Sequence, residues 1–321
     1  MARKITLYRA TSGLNTKKDP SRLASNAGKE LVELAAAVNI DISDSGRISR
    51  RKGFSKSRSE AWHSLYQAHG LTLGVTGDAL SIIESDLSYT PLRNVTRDAR
   101  MSYAAPGDGF VYYANGMETG RVSVAERVSQ AWIAPMDYVG RTTDRAFFDP
   151  PVGSLLGYYR GRMYVVQGGV AFPSEPFDYN RFALGDSSLW LSIGRVLMFR
   201  PVEGGIWVGT ETETIFLAGR GPGDFERLTK ADYPPLQYSD LNLNGHMFFD
   251  KDTGTPIVDL ASGTLSALWM SAEGLCFGGA DGNFYNLTKR KLDLPNGRTG
   301  STVLMPDKTG RQRRIIGLID P

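Results

Sequence analysis

Between residues 35 and 54 the chain reads AAAVNIDISDSGRISRRKGF. Apolar Val38, Ile40 and Ile42 alternate with polar Asn39, Asp41 and Ser43, and Asp44-Ser45-Gly46 supplies turn chemistry. A second half then begins at Arg47-Ile48-Ser49-Arg50. Alternation of period two around a turn predicts a β-hairpin. Upstream, GKELVELAAAV over 28 to 38 sets Leu31, Leu34, Ala35 and Val38 at helical spacing, which predicts a short helix before the hairpin.

From Trp62 onward a different pattern recurs: an apolar run, a Gly, Asn or Asp turn, and a second apolar run. It occurs at 71–84, 108–122, 160–172, 204–219, 242–250 and 273–288, with turns near Gly77, Gly116, Gly168, Thr210, Gly245 and Ala280. The spacing brackets the roughly 40 to 50 residues of one four-stranded propeller blade. The expected fold is therefore all-β, a β-propeller of about five to seven blades preceded by an N-terminal arm and hairpin. Its expected domains are a basic docking segment at 1–60 and the propeller at 61–321. A large irregular sandwich or two stacked β-domains are the competing architectures. DYPPLQYSD, DPPVGS and GRGPGDFERL read as links, because consecutive prolines and glycines do not sit in central strands.

Composition narrows this further. The 36 glycines among 321 residues exceed the usual share of about 7% and favour many turns. A net charge of +3 is too weak by itself to imply nucleic acid or membrane binding. The single cysteine, Cys276, rules out an internal disulfide framework. No run approaches the roughly 18 apolar residues of a membrane span, and the N-terminus has no signal-peptide core, so synthesis in the cytoplasm without a membrane anchor is expected.

The chemistry-bearing residues do not assemble into a catalytic signature. His63 and His69 are six apart with no cysteine nearby, a poor zinc spacing. Cys276 sits in apolar GLCFGG, the context of a buried inert thiol. AGRGPGDFERL lacks the Gly-Lys-Ser/Thr end of a phosphate loop, and Pro222 removes a backbone donor. Propeller glycosidases need paired carboxylates, and the SDSGRISRR stretch carries only the core of the turn that sialidases repeat, with no tryptophan after it. The expectation is no enzyme, no cofactor and no metal.

Charge is local instead. Lys and Arg stand at 47, 50, 51, 52, 56 and 58 with no acidic residue between them. Such a cluster suits phosphates or an acidic protein surface, whereas its bland role is to guard a strand edge against wrong pairing. With Phe54 as the one aromatic among them, base stacking is disfavoured.

SGLNTKKDPSRL at 12–23, AVNIDISDSGRISRRKGF, TPLRNV at 90–95, GFVYYANGMETGRV at 109–122 and GRMYVVQGGVAFPSEPFDYNRF at 161–182 together resemble the propeller proteins of tailed-bacteriophage virions. Those most similar are the tail-nozzle or packaged-DNA-stabilisation proteins of short-tailed phages. The resemblance spans roughly residues 10 to 290 and rests on turns and strands. It implies a virion structural protein of the tail or head-to-tail connector: a hexameric ring continuing the portal and adaptor channel, retaining packaged DNA and permitting its ejection. The implied partners are identical subunits, the adaptor or portal ring or other tail proteins, and transient double-stranded DNA in the channel, with no membrane. The chain is short for a nozzle, which leaves open a purely adapting ring or a minor tail protein of a long-tailed phage. A glycan-binding or glycan-cleaving propeller is the alternative from another class. Arg47, Arg50, Arg51, Lys52, Lys17 and Lys18 are the expected partner-binding residues, meeting an acidic protein surface in preference to DNA.

Overall fold

The second strand of one sheet, Phe110–Ala114, shows how the chain is built. Val111 and Tyr113 pack with Leu73, Val75, Leu80 and Ile82 of the preceding sheet. Tyr112 and Ala114 face the other way, into Leu156, Met163 and Val165 of the following sheet. A strand buried on both faces needs apolar side chains at every position, not at alternate ones.

The computed structural model describes residues 10–23, 31–43, 46–51, 53, 55–134, 147–183, 188–244, 248–249, 256–258, 264–289, 291–306 and 313–320. Among them stand four four-stranded antiparallel sheets and one of five strands, the blades of a β-propeller. Blade 1 comprises Trp62–Ala68, Leu71–Thr76, Ala79–Ile83 and Tyr89–Asn94. Blade 2 comprises Ser102–Ala104, Phe110–Ala114, Thr119–Ser123 and Ser129–Gln130. Blade 3 runs Leu155–Tyr159, Arg162–Gln167, Val170–Glu175 and Asp178–Phe182, and Leu189–Trp190 also pairs with its third strand. Blade 4 runs Val196–Val202, Gly205–Thr210, Thr214–Ala218 and Glu226–Ala231. Blade 5 is made of Leu241–Asn244, Leu265–Ser271, Gly274–Gly278 and Phe284–Asn286.

The same two-faced packing passes from blade to blade. Met163 and Val165 face blade 2 while Tyr164 and Val166 face blade 4. Ile206 and Val208 face blade 3 while Trp207 meets Trp269 and Cys276 of blade 5. Leu268 and Phe277 close the series against Leu304 of the hairpin formed by Thr299–Pro306 and Arg313–Asp320. Each apolar core therefore lies between two sheets, the arrangement that lets a blade bury both faces.

The first strand of each blade is the inner one, and each successive pair is joined there. The Ser64 hydroxyl accepts from the Met101 amide at 2.8 Å, and the Ser102 hydroxyl from the Leu156 amide at 2.9 Å. At Gly157 a side chain would stand 2.7 Å from the Phe199 ring, so blades 3 and 4 meet there without space for a Cβ. Asn242 donates to the Pro201 carbonyl at 3.2 Å across the next junction.

Two expectations fail locally. The segment read as a short helix holds the strand Leu31–Leu34, which pairs in parallel with Ala10–Leu14; the only helical turn described is the 3-10 turn Pro20–Arg22, capped by Asp19. The apolar run at 242–250 is no blade hairpin, because Leu241–Asn244 pairs with Leu265–Ser271 and the short pair Phe248–Phe249 with Pro256–Val258 is inserted between them. The turns at Gly77, Gly116 and Gly168 have the positive φ expected of hairpin glycines, while Gly245 lies outside the described residues. No helix among the described residues is long and apolar enough to cross a membrane.

Candidate functional site

The basic hairpin forms as its alternation predicts. Ile40 pairs with Arg50, Asp41 with Ser49 and Ile42 with Ile48. Gly46 takes φ +76° in the turn and donates to the Ser43 carbonyl at 2.8 Å. Its own carbonyl accepts from the Thr11 amide at 2.9 Å, which ties the hairpin to the first strand. Arg51 pairs with Asp41 across the hairpin at 3.2 Å. Arg47 and Arg50 are exposed and make no ion pair among the described residues. Lys52 lies outside the described residues. Past the hairpin, Arg58 donates to the Leu87 carbonyl at 2.6 Å, anchoring the chain on blade 1.

Lys17 and Lys18 are turned to other work. Asn15, fully buried, accepts through its side-chain oxygen from the Lys17 and Lys18 amides, both at 3.1 Å, and donates to Glu33 at 3.0 Å. Lys18 reaches Glu33 at 2.8 Å, and Lys291, from beyond blade 5, reaches it at 3.4 Å. Lys17 pairs with Asp293 at 3.4 Å. The Thr16 amide donates to the Lys291 carbonyl at 2.8 Å and the Thr16 hydroxyl accepts from the Asp293 amide at 2.9 Å. The Asn-Thr-Lys-Lys run is thus a clasp joining the N-terminal arm to the chain past the last blade. Burial pushes the Glu33 carboxyl upward, but hydrogen bonds from Lys18 and Asn15 and the charges of Lys18 and Lys291 outweigh it and hold it below the ordinary glutamate value.

The expected partner-binding set therefore divides. Lys17, Lys18 and Arg51 carry intramolecular ion pairs, and Arg47 and Arg50 have none among the described residues. Glu33, Lys291 and Asp293 are not visible as a site in the sequence, since their partners lie far away along the chain.

The groups weighed for catalysis lie apart. His63 is on the inner strand of blade 1, His69 sits exposed in the following turn at φ +49°, and His246 is outside the described residues. Cys276 is buried, which pushes its thiol up to about 11, against the hydrogen bonds of Ser271 and Tyr233. The glycine-rich loop at 219–224 closes on itself, with Asp224 accepting from the Arg220 amide at 2.8 Å. In the turn before the last strand of blade 5, Asp281 receives the Asn283 amide at 3.1 Å and its side-chain amide at 2.6 Å. Of the five tryptophans, Trp132, Trp207 and Trp269 are buried and Trp62 stacks edge-on to Tyr89, leaving Trp190 at 81% exposure.

No protein-family model matches the chain, and no curated protein matches it. Among solved structures it is similar to virginiamycin B lyase from Staphylococcus aureus, at 11% identity and TM-score 0.44 over 75% of this chain and 73% of that one. A gluconolactonase from Xanthomonas campestris gives 12% and 0.42 over 80% and 83%. The Pan2 WD40 domain of Neurospora crassa gives 8% and 0.39 over 79% and 71%. These likenesses say nothing about activity, and the architecture rests on the blade order of the chain itself.

Proposed function

We propose that this chain is a structural, non-catalytic subunit of a tailed-bacteriophage particle, one member of a hexameric ring in the tail or neck that continues the DNA channel. The observation that carries the reading is the hairpin Ile40–Arg50, which stands outside the five blades and presents Arg47 and Arg50 without an ionic partner among the described residues. Exposed arginines of this kind suit carboxylates on a neighbouring subunit or on the ring above.

The build of the molecule supports a mechanical role. Cores between successive blades resist shear, and the clasp fixes the arm so that the hairpin is offered from a firm base. The phage-like motif SGLNTKKDPSRL supplies that clasp, so the resemblance and the geometry meet in the same residues.

Replacing Arg47 and Arg50 together with Ser tests the reading. The variant should keep the wild-type melting temperature, because neither side chain is bonded among the described residues, and should enter particles poorly in a complementation assay. Normal incorporation of the folded variant would count against the hairpin as the docking element.

A further inference from the structure

The clasp between the N-terminal arm and the chain past blade 5 gathers an amide, a carboxylate and two amines whose chemistry goes beyond an ion pair. Asn15 is 1% exposed, and its side chain is fixed at both ends. The side-chain oxygen accepts from the Lys17 and Lys18 amides, both at 3.1 Å, and the nitrogen donates to Glu33 Oε2 at 3.0 Å. Two backbone donors on one carbonyl oxygen are what an oxyanion hole supplies when a nucleophile adds to the carbon.

Two lysines face the same carboxylate. Lys18 Nζ donates to Oε2 at 2.8 Å, the oxygen that also holds the Asn15 amide, and Lys291 Nζ stands 3.4 Å from Oε1. Glu33 thus touches both the amide nitrogen and the amines, the position from which one carboxylate can move a proton between them. Lys18 belongs to the turn that cradles the Asn15 oxygen, and its own amide is spent there. Lys291 comes from a separate segment, held alongside by the Thr16 amide, which donates to the Lys291 carbonyl at 2.8 Å. Its side chain is 30% exposed against 50% for Lys18, which makes it the better shielded amine.

We propose that the Lys291 amine and the Asn15 side-chain amide condense to an intramolecular isopeptide bond, with Glu33 as the proton shuttle. The neutral amine adds to Asn15 Cγ, and the oxyanion that develops is met by the Lys17 and Lys18 N–H groups. Glu33 takes a proton from the attacking nitrogen and gives it to Asn15 Nδ2. The Cγ–Nδ2 bond breaks, ammonia leaves, and an Nζ–Cγ amide remains. The exchange consumes no oxidant and no co-reactant. Burial alone would favour the acid, but the hydrogen bonds of Lys18 and Asn15 and the two lysine charges keep Glu33 ionised, the form that accepts a proton. The ion pairs of the clasp belong to the chain before the bond forms. The product joins residue 15 to residue 291 covalently, whether or not the chain is a ring subunit.

The test is the intact mass of the purified full chain, followed over days at mildly alkaline pH, with proteolytic mapping of the product. The expected result is a species lighter by one ammonia, whose digest holds the Asn15 and Lys291 peptides as one linked pair. Glu33→Gln should slow its formation about a hundredfold or more, the scale of general acid–base catalysis. Lys291→Gln should abolish it. Wild type incubated in urea serves if a variant fails to fold, and should form no link, because only the folded chain brings the three groups together. Loss of ammonia without the linked pair is the mark of a succinimide at an asparagine and would overturn the proposal. So would a link at Lys18 in place of Lys291, a folded Glu33→Gln variant that links at the wild-type rate, or folded wild type that forms no link.

Discussion

The Asp293 amide donates to the Thr16 hydroxyl at 2.9 Å, although the two residues are 277 positions apart. This contact and the Lys17–Asp293 pair turn the start of the described chain into a staple across its far end. Closing so long a loop costs conformational entropy, so the contacts that hold it must offset that cost.

Glu33 is the centre of the staple, accepting from Asn15 and Lys18 and facing Lys291, with its side chain only 11% exposed. Glu33→Gln keeps the shape and removes the charge. Its partners are half-exposed lysines, so the loss should be modest, about 1 kcal/mol in urea unfolding. A variant as stable as the wild type would show that the clasp does not hold the arm.

The pH dependence has two stages with one sign. His63 titrates below its ordinary 6.5 in the folded chain because of burial and Arg100, so the stability it contributes is complete above about pH 6.5 and is lost as pH falls through the lowered value. Glu33 and Glu118 are lowered from 4.5; in both, hydrogen bonds outweigh burial, from Lys18 and Asn15 in one and from Thr96 and Asn115 in the other. Their contribution is present above about pH 4.5 and is lost as pH falls through the folded values. Thermal melts from pH 8 to about pH 3 should fall in these two steps, and Glu33→Gln should shrink only the lower one. A flat profile through the upper step would contradict the half-buried His63 with its lowered value.

Trp207 and Gly278 fix the contact between blades 4 and 5. The indole nitrogen donates to the Gly279 carbonyl at 2.9 Å, and a Cβ on Gly278 would lie 2.4 Å from the indole ring. Gly278→Ala should destabilise by about 1–3 kcal/mol through overpacking, and Trp207→Ala by about 3–5 kcal/mol through the cavity it leaves. Chemical denaturation followed by tryptophan fluorescence measures the first and circular dichroism the second. A neutral Gly278→Ala would mean that the blades separate more readily than this packing allows.

The blades were legible in the sequence where both faces of a strand are buried. Runs such as FVYYA at 110–114 and IWVGT at 206–210 read as strands because Val111, Tyr112 and Tyr113 all go into cores, on opposite sides. The basic hairpin was legible from strict alternation around Gly46. Leu31–Leu34 was not, because four residues carry too little period to separate helix from strand, and the parallel partner Ala10–Leu14 decides the outcome. The run at 242–250 misled because the true partner of Leu241–Asn244 comes after an insertion. Lys17 and Lys18 looked available for a partner because Glu33 and Asp293 meet them only in the folded chain.

The most direct measurement of the central claim is the copy number of this chain in purified phage particles from a host lysate, by quantitative mass spectrometry against the major capsid protein. The account predicts about six or twelve copies per particle, the number a closed cyclic ring requires. Absence of the chain from the particles would contradict it.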